Sequence, residues 1–147
     1  MAERVRVQAA PFDYGAECGA FADGAEGVGA VVTFAGVVRG DGGMTGMEIE
    51  HYPGMTERAI GGIVDEAVAR FGLADVLVIH RHGPMRPGER IMMVATAAAH
   101  RAAAFEAAEY LMDYLKSRAP FWKKERGPGG EDWVAAKDED EAALGRW

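Results

Sequence analysis

The chain has 147 residues, 49% apolar and 27% charged, with a formal net charge of −7. That length predicts a single domain over 1–147, and the composition is that of a globular chain with its own core, not a disordered one. The acidic balance excludes general nucleic-acid binding. The single cysteine, Cys18, excludes an internal disulfide or a cysteine-based zinc site and fits a cytoplasmic setting. No stretch reads as a secretory leader or as a run able to cross a membrane.

Met1 to Val7 alternates polar and apolar residues, and Val5 to Val7 reads as a short strand. Pro11 to Gly24 reads as a weak helix or loop, anchored by Phe12, Tyr14 and Phe21. Cys18 lies there with no nearby base, so it reads as a small packed residue. Gly27 to Arg39 is β-branched and apolar and predicts a buried strand. Gly36 within it suggests a bulge or a close backbone approach. Gly40 to Gly46 holds four glycines and reads as a flexible loop. Met47 to Tyr52 is expected to pair antiparallel with the preceding strand.

Pro53-Gly54 opens a helix whose apolar stripe is Ile60, Ile63, Val64, Ala67, Val68 and Phe71. Gly72 stops it. Ala74 to Arg81 is a strand, Gly83-Pro84 and Pro87-Gly88 bracket a turn, and Arg90 to Ala97 is a further strand. A long helix follows from about His100 to Arg118, with Ala104, Ala108, Leu111 and Leu115 inward. Pro120 ends it, because the residue before a proline is pushed out of helical geometry. Phe121 to Glu125 and Glu131 to Val134 are short extended segments, and Asp138 to Trp147 is an acidic helical tail. The order predicts an α+β fold, a mostly antiparallel sheet with packed helices.

Charge is unevenly placed. From Lys116 to Arg126 there are five basic residues and one acid, a local +4, so the rest of the chain carries −11. Such a concentration fits an anionic ligand or an acidic partner. Lys123 and Lys124 follow Lys116 just past the proline, and crowded lysines lower one another's pKa, which favours a nucleophilic or proton-accepting amine. At the other end of the helix, His100 and Arg101 add cations to an already positive N-terminus, an arrangement suited to an anion. Roughly 24 Å of helix, at 1.5 Å per residue, separates His100 from Lys116. One small ligand cannot bridge it within a chain. Either a symmetric dimer shares its sites or each chain has two anion sites. Arg39 ends a strand at the glycine loop and is a third candidate cation. His51, His80 and His82 lack the carboxylate or cysteine pattern of a metal site. Glu48 and Glu50 read as a solvated strand face, and Trp122, Trp133 and Trp147 as packing residues. There is no P-loop or Rossmann glycine pattern to support a nucleotide-binding regulator.

Several segments together resemble the large, catalytic subunit of molybdopterin synthase. They are Val31 to Arg39, Glu50 to Glu57, Val78 to Gly83, Ala99-His100-Arg101 with Ala104 to Ala107, Met112 to Glu125, Asp132-Trp133-Val134 and Arg146-Trp147. The run Lys116-Ser117-Arg118-Ala119-Pro120-Phe121-Trp122-Lys123 is the most specific. The resemblance implies an α/β-hammerhead-type fold and a sulfurtransferase of molybdenum cofactor biosynthesis. It implies transfer of two sulfurs to cyclic pyranopterin monophosphate from the C-terminal glycine thiocarboxylate of a small ubiquitin-like subunit. No metal or other cofactor is implied. The implied assembly is a homodimer of large subunits with a small subunit at each end, a heterotetramer with shared sites. Lys116 and Lys123 are then the catalytic lysines. Arg39, His100 and Arg101 are substrate-anion contacts, the latter two from the other subunit, and Val37, Val38, Lys124 and Glu125 line the pterin site. Two features differ from the family: the 40–46 loop is glycine-rich, and Val37 stands where lysine is frequent. A reading of another class remains, a scaffold that docks a ubiquitin-like protein without catalysis.

Overall fold

The computed structural model describes residues 4–134 and 138–147, so Met1 to Glu3 of the N-terminal alternation lie outside the described residues. In chain order the elements are β1 (Val5–Gln8), α1 (Tyr14–Ala20), β2 (Ala30–Val37), β3 (Gly46–His51), α2 (Met55–Phe71), β4 (Asp75–Arg81), β5 (Gly83–Met85), β6 (Arg90–Ala98), α3 (Arg101–Arg118), β7 (Phe121–Gly127), β8 (Gly130–Trp133) and α4 (Asp138–Ala143). Single 3₁₀ turns cover Asp41–Gly43 and Leu144–Arg146.

The strands form two four-stranded sheets, ordered β1-β4-β6-β2 and β5-β3-β7-β8. The β1–β4 pair is parallel and the other described pairs are antiparallel. The α+β, mostly antiparallel expectation holds.

The first sheet is covered on both faces. Ile60, Val64 and Ala67 of α2 and Ala104, Leu111 and Leu115 of α3 share a core with Val76, Val78 and Val94. On the opposite face Leu77, Ile79, Met93 and Ala95 are packed by Phe12, Tyr14, Cys18 and Phe21. Double coverage explains why β4 and β6 read as continuous apolar runs. The expected anchors of the N-terminal helix are the ones used, and Cys18 is half-buried among them.

Three expectations change. The Gly27–Arg39 strand forms, but β2 is an outer strand. Val31, Phe34 and Val37 remain 47%, 43% and 50% exposed, so it is not a buried strand. The bulge does fall at Gly36/Val37. Next, β3 does not pair with β2; it lies in the second sheet between β5 and β7. The chain stays beside β6 through Val38, whose N–H donates to the Glu89 carbonyl while its own carbonyl accepts from Gly88. The glycine stretch then forms the 3₁₀ turn that carries it into the other sheet. Finally, the Gly83-Pro84 turn is strand β5. Pro84 is tolerated because β5 is an edge strand, where a missing N–H costs no ladder bond.

Candidate functional site

The end of α3 and the start of β7 meet at Ala119-Pro120-Phe121. Lys116 sits in the last turn of α3, and Lys123 is the third residue of β7. Both act on one buried group, the imidazole of His80 on β4. The His80 pKa is pushed down to about 3, chiefly by burial, with the positive charges of Lys123 and Lys116 adding to the same direction. Its Nδ1 lies 2.8 Å from the Arg81 carbonyl oxygen. A carbonyl only accepts, so Nδ1 carries the proton and Nε2 is bare. The ring stacks on Phe121 with centroids 3.8 Å apart and planes at 17°. Beside it His82 stacks on His51 at 4.0 Å, and burial together with His51 lowers the His82 pKa.

The strand pleat divides the expected lysine cluster. Adjacent strand residues point to opposite faces, so Lys123 shares a face with Phe121 and Glu125 while Lys124 turns away. Lys124 lies 4.6 Å over the Trp133 ring and 3.8 Å from a Glu131 carboxylate oxygen. The expectation of three crowded lysines is corrected to a pair, Lys116 and Lys123. Glu125 is half-buried on the Lys123 face.

The other predicted residues fall at two ends of the first sheet. Gly36, Met92, His80 and Val7 lie in one row across the strands, in register through their neighbours. The row puts His80 about 10 Å from Gly36, two strand spacings away. Val37 and Arg39 are therefore at the His80 end. Val37 is exposed, whereas the Val38 side chain is 2% exposed and belongs to the core. Val38 thus presents no side-chain surface to a ligand. Arg39 pairs with Asp41 at 2.6 Å, both well exposed. His100 caps the opposite end of α3 and Arg101 starts it, and Ala30 pairs with Ala98 close by. Along α3, Arg101 and Lys116 are separated by roughly 22 Å at 1.5 Å per residue. One chain therefore carries the predicted cations as two separated groups.

Sequence reasoning missed Thr56 and His80 as parts of this corner. Thr56 is fully buried; its hydroxyl accepts from the Tyr52 N–H at 2.9 Å and donates to the Pro120 carbonyl at 2.9 Å. The signal available was a threonine and a histidine within otherwise apolar, inward-facing positions. Among the tryptophans, Trp122 and Trp133 are 49% and 54% exposed, which corrects their reading as packing residues. Trp147 does pack, edge-on to Phe71 and Tyr110.

A family model described as MoaE protein matches residues 7–118. The chain belongs to the MoaE family. It is similar to the molybdopterin synthase catalytic subunit of Cereibacter sphaeroides, with 70% identity over 98% of this chain and 99% of that one. The solved molybdopterin biosynthesis MoaE protein of Burkholderia ambifaria superposes with a TM-score of 0.85 at 47% identity, covering 99% of this chain and 98% of that one. A more distant structure, a complex of subunits 1 and 2 of molybdopterin-converting factor from Helicobacter pylori, shares the fold. Its TM-score is 0.75 at 20% identity, covering 91% and 90% of the two chains. Membership of the MoaE family makes this chain an enzyme of molybdenum cofactor biosynthesis, of the molybdopterin synthase catalytic-subunit kind. The described residues contain no helix long and apolar enough to cross a membrane.

Proposed function

We propose that the chain transfers two sulfurs to cyclic pyranopterin monophosphate. The donor is the C-terminal glycine thiocarboxylate of a small ubiquitin-like subunit, and Lys116 and Lys123 are the catalytic lysines. The observation that carries this reading is their convergence on the His80 imidazole from two different elements, α3 and β7. Attack of a thiocarboxylate on the pterin side chain develops negative charge on oxygen. Two lysines, Lys116 exposed and Lys123 half-buried, stabilise that charge, and either relays protons. Glu125, on the Lys123 face, is proposed as a pterin contact, with Val37 and Arg39 at the same end of the sheet. Lys124 belongs to the rim through Trp133. An extended tail entering a slot is an established mode of peptide recognition. The two-subunit Helicobacter pylori protein of the same fold supports such a partner.

His100 and Arg101 enter the site from a second copy of the chain. Strand β2 is an outer strand whose exposed side chains include Val31 and Phe34. Two such edges related by a two-fold axis run antiparallel. The Ala30 end of one copy, beside His100, would then meet the Val37 and Arg39 end of the other. From Ala30 to Val37 is roughly 23 Å at 3.3 Å per residue, close to the span of α3 between the two cation groups. A homodimer so formed, with a small subunit at each end, gives the heterotetramer. The setting proposed for this chemistry is the cytoplasm.

The deciding experiment is a single-turnover assay with thiocarboxylated small subunit and cyclic pyranopterin monophosphate, following dithiolene product. Wild type should form product, and Lys116→Ala should be slower by roughly 10²–10³-fold, the scale of a lost oxyanion contact. Partner binding without product in the wild type would favour a docking scaffold instead.

A further inference from the structure

Among the described residues four polar side chains are buried: Thr56, His80, Arg81 and Thr96. Two have plain architectural partners. Arg81 donates to the Ala9 carbonyl and pairs with Glu89. Thr96 donates to the Ala104 carbonyl at 2.7 Å and so ties β6 to α3. The other two converge on one place, the Pro120-Phe121 corner. Thr56 donates to the Pro120 carbonyl. His80 lies flat against the ring of the next residue, Phe121. That corner is the link between Lys116 and Lys123.

Burying a hydroxyl and an imidazole is costly unless each is satisfied, and here each is. Thr56 both accepts and donates, and His80 donates to the Arg81 carbonyl. The groups facing the imidazole are Lys123 from β7, Lys116 from α3 and His82 from its own strand. Its register partners, Val7 of β1 and Met92 of β6, are apolar. The ring stays neutral at physiological pH, so it supports the corner without placing a third positive charge beside the two amines.

We infer that Thr56 and His80 are positioning residues of the sulfur-transfer site, clamping the Pro120-Phe121 corner and so fixing the separation of the Lys116 and Lys123 amines. The inference rests on the reading of those lysines as the catalytic pair. Neither residue is assigned contact with substrate; both act through Phe121 and Pro120. The His80 component is the ring surface, and the Thr56 component is the hydroxyl.

Two pairs of variants separate these components from general stability. His80→Phe keeps a ring and removes the nitrogens, whereas His80→Gln keeps a polar group and removes the ring. Thr56→Ser keeps the hydroxyl, whereas Thr56→Val removes it. One readout is the rate of acetylation of each lysine by acetic anhydride, resolved by mass spectrometry from neutral to alkaline pH. The other is single-turnover kcat with KM for the pterin, with Lys116→Ala and Lys123→Ala alongside. His80→Gln and Thr56→Val should change Lys123 acetylation about threefold and lower kcat about tenfold with KM within about twofold, as small misplacements do. His80→Phe and Thr56→Ser should stay within about twofold of wild type on both readouts. Unchanged acetylation in folded His80→Gln and Thr56→Val overturns the clamp, whatever kcat does. An active His80→Gln with an impaired His80→Phe also overturns it, because the nitrogens would then be the working part. If His80→Gln does not fold, Phe121→Leu removes the same stack from the other side and is read by the same criteria. Shifted acetylation with full turnover in both lysine variants keeps the clamp and removes the catalytic-pair reading.

Discussion

A buried neutral histidine changes its proton count when the chain unfolds. The folded pKa of His80 is about 3 and its ordinary value is 6.5. Below pH 6.5 the unfolded chain takes up a proton that the folded chain refuses, so acid favours unfolding. The stability difference between wild type and His80→Phe should therefore shift against wild type as pH falls from about 6.5 to about 3. The limiting slope is about 1.4 kcal/mol per pH unit, with no contribution above that window. Urea denaturation of both proteins across that range measures it, and a pH-independent difference would mean the imidazole is not held neutral. Arg39 illustrates the opposite case. Its pair with Asp41 is exposed on both sides, so Asp41→Asn should alter stability by less than about 0.5 kcal/mol. If Arg39 binds the substrate anion, Asp41 competes for it in the empty site. The same substitution should then lower the pterin KM by about twofold, a surface-pair effect. At this scale the sequence was legible where charge alone mattered. The +4 segment was visible, yet the pleat that sends Lys123 and Lys124 to opposite faces needed β7 to be assigned first. Thr56 and His80 escaped notice because only their partners, Pro120 and Phe121, show what they hold.

Elements with a strong period were readable. The α2 stripe and the inner residues of α3 follow helical spacing, and glycine at 72 and proline at 120 mark their ends. Edge placement was not readable, because β2 has the composition of a buried strand and only the pairing order shows that one edge is bare. Pairing of β3 was misread for a related reason: adjacency in sequence favours a hairpin, and Val38 bonding to the Gly88-Glu89 turn diverts the chain. One close approach joins β2 to the start of α3. A Cβ on Gly29 would lie 2.1 Å from the Ala99 carbonyl oxygen, which is backbone and cannot swing aside. Gly29→Ala should cost roughly 1–3 kcal/mol, the range for overpacked sites, seen as a lower urea midpoint. Because Ala99 precedes His100, it should also weaken pterin binding more than a stability-matched change far from that helix end. Equal KM values in the two variants would detach this contact from the anion site.

At the scale of the whole molecule, the separation of cations along α3 sets the condition that the proposed shared site must meet. One rigid helix holds Arg101 and Lys116 roughly 22 Å apart, and the first sheet repeats the separation between Ala30 and Val37. Neither element can bend enough to close it, so a single chain has at most half of the proposed site. That step required only helix arithmetic and was available from sequence; which edge meets which was not, since it depends on β2 lying outermost. The consequence is complementation. In a hybrid dimer of an Arg101→Ala chain and a Lys116→Ala chain, one site receives both intact residues and the other receives both lesions. Random exchange makes about half the dimers hybrid, each with one working site, so the mixture should recover about a quarter of wild-type activity from two nearly inactive parents. Phe34→Lys, placed on the exposed side of β2 in both chains, should abolish the recovery by preventing association, with sizing chromatography reporting the dimer directly. Recovery in mixtures that chromatography shows to be monomeric would overturn the shared site, and no recovery in confirmed hybrid dimers would leave two independent anion sites in each chain.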